Sequence, residues 1–461
     1  MKNKTLLAAL PLVLACGSLS AQDVFELHGY MRAGVGRSSN GGEQVTFYLP
    51  NTGGSPTGGP GYRLGNETDN YLELAMDVRA YEKGSTSFKL HFRPTFRGYY
   101  NTRDASADAG GNIDKAKNAN PNQMVYIRES WGEATGIFGN GETFKDATVW
   151  AGRRFYQRQD LHMRDQWYWN NSGDGFGIEN INLGFGKLHY AYIQHDKNNV
   201  GDTTGPEWWL DSGGITNQQD PGSWWTNGTL GQTAIGSHDL RLTDIKLWQG
   251  GSLTLGLQYN EARPTAKADP AHAANNGTQY SLIYNQANFL GGDNRVYATY
   301  GNGNTFWNWY SPEVKTENTW YQIMDAYYIK PMSNLDIMGT LIYRKQNGKG
   351  DMAGNTNTWE SFGIRPTYYF TKHFSIAAEL GYDQLKFANE ANPRHLNKQT
   401  VALQFSPQAT AWSRPVIRMF VTKGSWTLAS NSWGFVDMGG QFSEHNKAEG
   451  ITYGAQIEAW W

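Results

Sequence analysis

The sequence predicts an all-β chain, a single transmembrane antiparallel β-barrel, and three observations carry that prediction. Read at period two, the last nine residues split into Tyr453, Ala455, Ile457, Ala459 and Trp461 on one face and Gly454, Gln456, Glu458 and Trp460 on the other. Successive strand side chains point to opposite faces, so this segment is oily on one side and polar on the other. It stops on an aromatic residue, as suits the closing strand of an outer-membrane barrel. The mean hydropathy is −0.62 with 39% hydrophobic residues, and beyond the N-terminal segment no run approaches the roughly 20 apolar residues of a spanning helix. A helical membrane protein is excluded, whereas a barrel strand needs only about five outward apolar side chains alternating with polar ones. Finally, the alternating runs are joined by both tight and long connections, the expected difference between the two ends of such a barrel.

From the N-terminus, Lys2 and Lys4 precede an apolar run over residues 6–15 and the small residues Ser18, Ser20 and Ala21. That is the pattern of a secretory signal peptide. Residues 1–21 are expected to be removed, leaving residues 22–461 as one barrel domain. Leu19 is bulkier than the small residue usual three positions before such a cut. A lipoprotein-type site at Cys16, the only cysteine, is the alternative, and Leu14 fits it poorly. Either way no disulfide staples the mature body. A soluble chain of 461 residues would be expected to divide into two or three domains, yet no linker or composition break occurs.

Alternation opens at residues 27–33, with Leu27, Met31 and Ala33 on one face and His28, Tyr30 and Arg32 on the other. It returns at residues 71–79, where Leu72, Leu74, Met76 and Val78 would face lipid and Tyr71, Glu73, Asp77 and Arg79 the interior. Residues 253–260, 376–382 and 401–405 repeat it. Tight turns are expected at Lys83-Gly84-Ser85, Phe185-Gly186-Lys187, Gly250-Gly251-Ser252 and Met332-Ser333-Asn334, and long loops over residues 36–61, 102–122 and 196–237. The mature length accommodates about 16 to 18 strands.

A net charge of −2 argues against nucleic-acid binding, which usually shows a strong basic excess. The 18 Trp, 26 Tyr and 20 Phe suit two uses in a barrel, interfacial girdles and stacking surfaces for ligands. Nothing in the chain calls for a cofactor, and His28, His162 and His189 stand far apart in sequence, so no metal site is expected.

Several blocks resemble the maltoporin family of carbohydrate-selective outer-membrane porins. They are HGYMRAG at residues 28–34, GEQ at 42–44, YRLGNE at 62–67, Tyr71 with Glu73, and WAGRRFYQRQDLHMRD at 150–165 continuing through residues 167–169. GIENINLGFGKL at 177–188, GIRP at 363–366, WSRP at 412–415 and the terminal Trp460-Trp461 follow in the family order. The resemblance implies a homotrimer of 18-stranded barrels in the outer-membrane lipid of a Gram-negative cell, each bore narrowed by an infolded loop. It also implies maltose or maltodextrin-type oligosaccharides guided along a ladder of aromatic rings flanked by charges.

Tyr30, Tyr71, Trp412 and Trp460 match the stacking ladder, and Arg32, Arg63, Glu73, Arg128, Arg158 and Asp165 match the charged groups of the constriction. Alternation independently puts Tyr30, Tyr71 and Trp460 on the inward face, with Arg32 beside Tyr30 and Glu73 beside Tyr71, roughly 7 Å along the strand. The bland alternatives are girdle aromatics and a structural charge ladder across the wall. Two positions at the narrowest point depart from the family: Trp167 stands where tyrosine is usual and Asn170 where aspartate is common, so a narrower and less cation-favouring pore is expected. A mid-chain rung aligns with Gly292 or Asp293, and is missing or supplied by Phe289 or Tyr280. The rung given by a neighbouring subunit would fall to Tyr99 or Tyr100, and Thr68 occupies one position of the family's loop disulfide.

A general diffusion porin shares the barrel but lacks the ladder, and a secreted soluble carbohydrate-binding protein would not need lipid-like alternation. A glycoside hydrolase would need two matched carboxyl groups; Asp160, Asp165 and Glu179 are candidates, but nothing pairs an acid with a nucleophile. No nucleophile elbow, zinc-protease helix or phosphate loop is present.

Overall fold

In the computed structural model, residues 24–42, 44–49, 61–99, 124–195, 233–264, 275–308, 317–349, 356–427 and 449–461 are described. The expected signal peptide, Cys16, Tyr100 and most of the long loops lie outside them, as does the side chain of Tyr99.

Twenty strands follow in order. The first seven are β1 (Phe25–Ser38), β2 (Asp69–Lys83), β3 (Thr86–Tyr99), β4 (Met124–Thr135), β5 (Thr148–Arg154), β6 (Gln159–Leu161) and β7 (Gln166–Trp169). Next come β8 (Gly173–Asn182), β9 (Lys187–His195), β10 (Thr233–Lys246), β11 (Gly251–Pro264), β12 (Gly277–Phe289), β13 (Gly292–Asn302) and β14 (Thr319–Met332). The last six are β15 (Leu335–Asn347), β16 (Asn357–Tyr369), β17 (Phe374–Phe387), β18 (Arg394–Phe405), β19 (Val416–Trp426) and β20 (Glu449–Trp460). Eighteen of them form one antiparallel sheet, closed because β1 pairs with β2 on one side and with β20 on the other. Closure leaves no free edge, which a bilayer requires. β6 and β7 stand apart as a small hairpin.

Burial is inverted relative to a soluble protein. On β18, Val401 is 52% exposed while Thr400 and Ala402 are buried, and on β19 Ile417, Met419 and Val421 are exposed between the buried Arg418, Phe420 and Thr422. Aliphatic residues thus meet the bilayer and polar ones the bore. The expected runs fall inside β1, β2, β11, β17, β18 and β20, and the four expected tight turns join consecutive strands at one end of the barrel.

Two segments turn into the bore from the opposite end. Residues 44–49 and 61–68 follow β1: Phe47 packs on Trp426 with centroids 5.9 Å apart, and Asn66 ties the two stretches by accepting from Phe47 N at 2.7 Å and donating to Phe47 O and Gly61 O at 2.8 Å. The Tyr62 ring lies against Gly363 and Gly381, register partners on β16 and β17. A Cβ built at either glycine would come within 1.9 or 2.1 Å of that ring, so only bare backbone admits it. The second segment, residues 155–172, carries β6 and β7 across the bore. Arg164 pairs with Asp383 of β17, Tyr168 meets Tyr297 of β13, and Trp169 fills the space above Gly256 of β11.

Candidate functional site

The seam that closes the barrel builds the core of the site. Tyr30 stands in register between Glu73 of β2 and Trp460 of β20, and Arg32 between Tyr71 and Glu458. All these positions share the inward face, as alternation requires. Tyr30 and Tyr71 have centroids 5.8 Å apart, and the Arg32 guanidinium lies 5.1 Å from the Tyr71 ring and 6.0 Å from the Tyr30 ring.

Around these rings the predicted charges are interlocked. Arg32 forks onto Asp69 at 2.7 and 2.9 Å and reaches Glu67 at 2.9 Å and Asp165 at 3.3 Å. Arg63 donates to the Tyr30 hydroxyl at 2.7 Å and pairs with Glu67 at 2.8 Å and Glu458 at 2.9 Å. Glu458 also holds Arg414 and Arg418, each at 2.8 Å.

The rings continue in both directions. Towards the tight-turn end, Arg414 stacks on Trp460 at 3.8 Å, and the His162 ring lies 5.9 Å from Trp460 and 5.1 Å from Trp412. Trp412, in the connection between β18 and β19, is 41% exposed and meets Tyr328 at 5.8 Å. In the other direction, Arg128 lies over Tyr71 at 5.4 Å and Phe155 at 5.7 Å, and Arg158 is clamped 3.3 Å from Phe155 and 3.7 Å from Trp167. The result is a row of rings, Trp167, Phe155, Tyr71, Tyr30, Trp460 and Trp412, with guanidinium groups between the first four and the His162 imidazole between the last two. Asn170 is exposed and accepts a hydrogen bond from Ser172 at 2.5 Å.

Burial drives the ionisation of the infolded groups. It pushes the Asp165 carboxyl up, but Arg63 and Arg32 overcome this and hold it below the ordinary aspartate range. At Asp160 the balance goes the other way: burial, reinforced by Asp165, outweighs Arg63, Arg295 and Arg158 and raises it. Burial and the neighbouring Arg63 hold His162 well below the usual histidine range, so the imidazole is neutral.

Sequence reasoning missed Phe155, His162, Arg414, Tyr328 and the carboxylates of Glu67, Asp69 and Glu458. Glu458 and Asp69 had a signal, since they share the inward face with Trp460 and with Tyr71; Glu67, Phe155, His162 and Arg414 lie inside the blocks that carry the resemblance, and only Tyr328 sits on a strand with no reading of its own. Two suggestions are corrected: Tyr280 is 56% exposed on the outer face of β12, and Phe289 is an exposed residue at the very end of that strand, beyond the bulge after Ala287. The ring beside the missing rung is Tyr328, in register with Asp293. Thr68, at one position of the disulfide that the family resemblance implies, meets the Thr46 hydroxyl through its own at 3.1 Å. The candidate catalytic carboxylates have other engagements, Asp165 with Arg32 and Glu179 with Arg154 and Gln157. Pairing of β1 with β2 brings His28, isolated in sequence, beside Glu26 and Asp77, the one group of potential metal ligands among the described residues.

A family model described as LamB porin matches residues 25–461. Among solved structures, Pseudomonas aeruginosa OccK2 (OpdF) is similar at 8% identity and a TM-score of 0.49, covering 95% of this chain and 97% of that one. Acinetobacter baumannii OccAB2 follows at 10% identity, TM-score 0.48 and coverages of 95% and 98%. Vibrio cholerae OmpT in its trimer form has 9% identity, a TM-score of 0.37 and coverages of 95% and 99%.

Proposed function

We propose, from the premise that this chain belongs to the LamB porin family, that its outer-membrane channel carries oligosaccharides of the maltose and maltodextrin type along the ring track, working as a homotrimer. The chain is an outer-membrane β-barrel porin; its substrate is our inference. The observation that carries it is the inward row Tyr71, Tyr30 and Trp460 on three adjoining strands, each ring within reach of a guanidinium and a carboxylate.

A pyranose has an apolar C–H face that stacks on an aromatic ring and equatorial hydroxyls that seek charge-assisted hydrogen bonds. The planar guanidinium can bridge a hydroxyl and a carboxylate at once. Several weak stations in series favour sliding, because each binds well enough to admit the chain and poorly enough to release it. Tyr328 beside Trp412 supports a further station at the exit, replacing the rung absent at Asp293. Trp167, with Arg158 clamped against it, narrows the bore.

Sugar block of the ion current tests the proposal. Maltodextrins added to purified channels in planar bilayers should interrupt the current in a saturable way, more strongly for longer chains. Current insensitive to maltodextrins would leave a general diffusion porin.

A further inference from the structure

At the tight-turn mouth of the bore, next to Tyr30 on the inward face of β1, the wall carries a second built group. We infer that Glu26, His28 and Asp77 bind a divalent transition-metal cation. Glu26 and His28 lie two apart on the inward face of β1, and Glu26 is in register with Asp77 of β2. One ligand atom from each lies within 4.8 Å of the others, and His28 Nε2 is 3.6 Å from Glu26 Oε2. A tetrahedral zinc ion with bonds of about 2.0–2.2 Å needs its ligand atoms roughly 3.4 Å apart. The His28–Glu26 edge already has that length. The remaining closure falls to side chains half exposed to the aqueous bore, at 55% for His28 and 51% for Glu26, which can change rotamer at little cost.

The surroundings orient both carboxylates. His91 Nδ1 lies 2.8 Å from Asp77 Oδ1, its other nitrogen 3.6 Å from Glu133 Oε1, and its ring stacks on Trp131 with centroids 3.8 Å apart and planes at 12°. Arg79 approaches Glu26 at Oε1, at 3.7 Å, on the oxygen that does not face His28. Glu26 thus turns one oxygen to Arg79 and the other to His28, and His91 holds Asp77 through Oδ1, the kind of engagement by which outer partners orient metal ligands. The row Glu26, Asp77, His91, Trp131 runs directly across β1 to β4, so the sheet itself sets the spacing.

One imidazole with two carboxylates selects zinc, nickel or cupric ions over magnesium and calcium, which prefer oxygen throughout. Three protein ligands leave a fourth position to water. A bound dication cancels the two carboxylate charges at the mouth, so cation current falls while the ring track is untouched.

Titration of zinc chloride into the purified full-length channel, by calorimetry in chelator-free buffer, tests the site. The parent should bind one zinc ion per chain. Affinity should fall at least about tenfold in His28→Gln and in Asp77→Asn, and stay unchanged in His373→Gln, a histidine on an exposed turn. In planar bilayers, zinc added at the tight-turn mouth should lower cation current in the parent and not in His28→Gln. Absence of saturable binding, or equal affinity in the parent and both site variants, overturns the inference.

Discussion

Arg164→Met should unlatch the infolded segment. Arg164 Nη1 donates to both Asp383 oxygens at 2.9 and 2.8 Å and to Ser361 Oγ at 3.2 Å, with its guanidinium 4.8 Å from the Tyr62 ring and 5.1 Å from the Trp359 ring. Both members of the pair are 1% exposed. Methionine fills similar volume but leaves Asp383 buried with the Trp359 indole N–H at 3.0 Å as its remaining strong donor. Breaking a buried pair from one side costs about 3–5 kcal/mol. At about 1.4 kcal/mol per decade, the docked segment loses a factor of a hundred or more against undocked states. The strand ladder does not pass through Arg164, so the barrel should still form. Single-channel recording should then show larger, noisier conductance and weaker block by maltodextrins. Adding Asp383→Leu should restore much of the parent behaviour, because an apolar pair removes the stranded charge. Parent-like conductance and noise in Arg164→Met alone would refute the latch.

Trp167→Tyr should widen the constriction and Asn170→Asp should make it more cation-selective, read as conductance and reversal potential; unchanged values would remove Trp167 and Asn170 from the narrowest point. Trp460→Ala should weaken maltodextrin block by a factor of up to about ten, the worth of a ring contact of roughly 0.5–1.5 kcal/mol, with ion conductance preserved or raised. His162 should make the fold acid-sensitive. Its native pKa is held well below the ordinary 6.5, so below about pH 6.5 the unfolded chain binds a proton that the native one does not, and stability falls with pH towards the native value. The loss of thermal stability between about pH 7.5 and about pH 5.5 should therefore be smaller in His162→Gln than in the parent.

Much of this molecule is legible at period two. Alternation alone orients β1, β2 and β20, and hence turns Tyr30, Arg32, Tyr71, Glu73 and Trp460 inwards, because lipid tolerates only the apolar face. The same rule, applied to β12, would have turned Tyr280 outwards with Leu282, since Gln279 and Ser281 share the other face. The docking of the infolded segments was not legible. Residues 155–172 have no period of their own, and their seats, like that of Tyr62 in the first segment, are set by residues far along the chain: Gly256 under Trp169, Asp383 for Arg164, and Gly363 with Gly381 for Tyr62. A glycine on the inward face of a strand reads locally as a weak strand residue; only the fold reveals it as a socket. One charge partner was likewise hidden, since Glu67 joins the seam only once residues 61–68 fold inwards.

Liposome swelling is the most direct test of the central claim that rings and paired charges in the bore favour sugar chains. Vesicles containing the purified channel should swell faster in maltodextrins than in non-sugar solutes of equal size, and Trp460→Ala should narrow that difference. Equal rates for sugars and size-matched non-sugars would contradict the account.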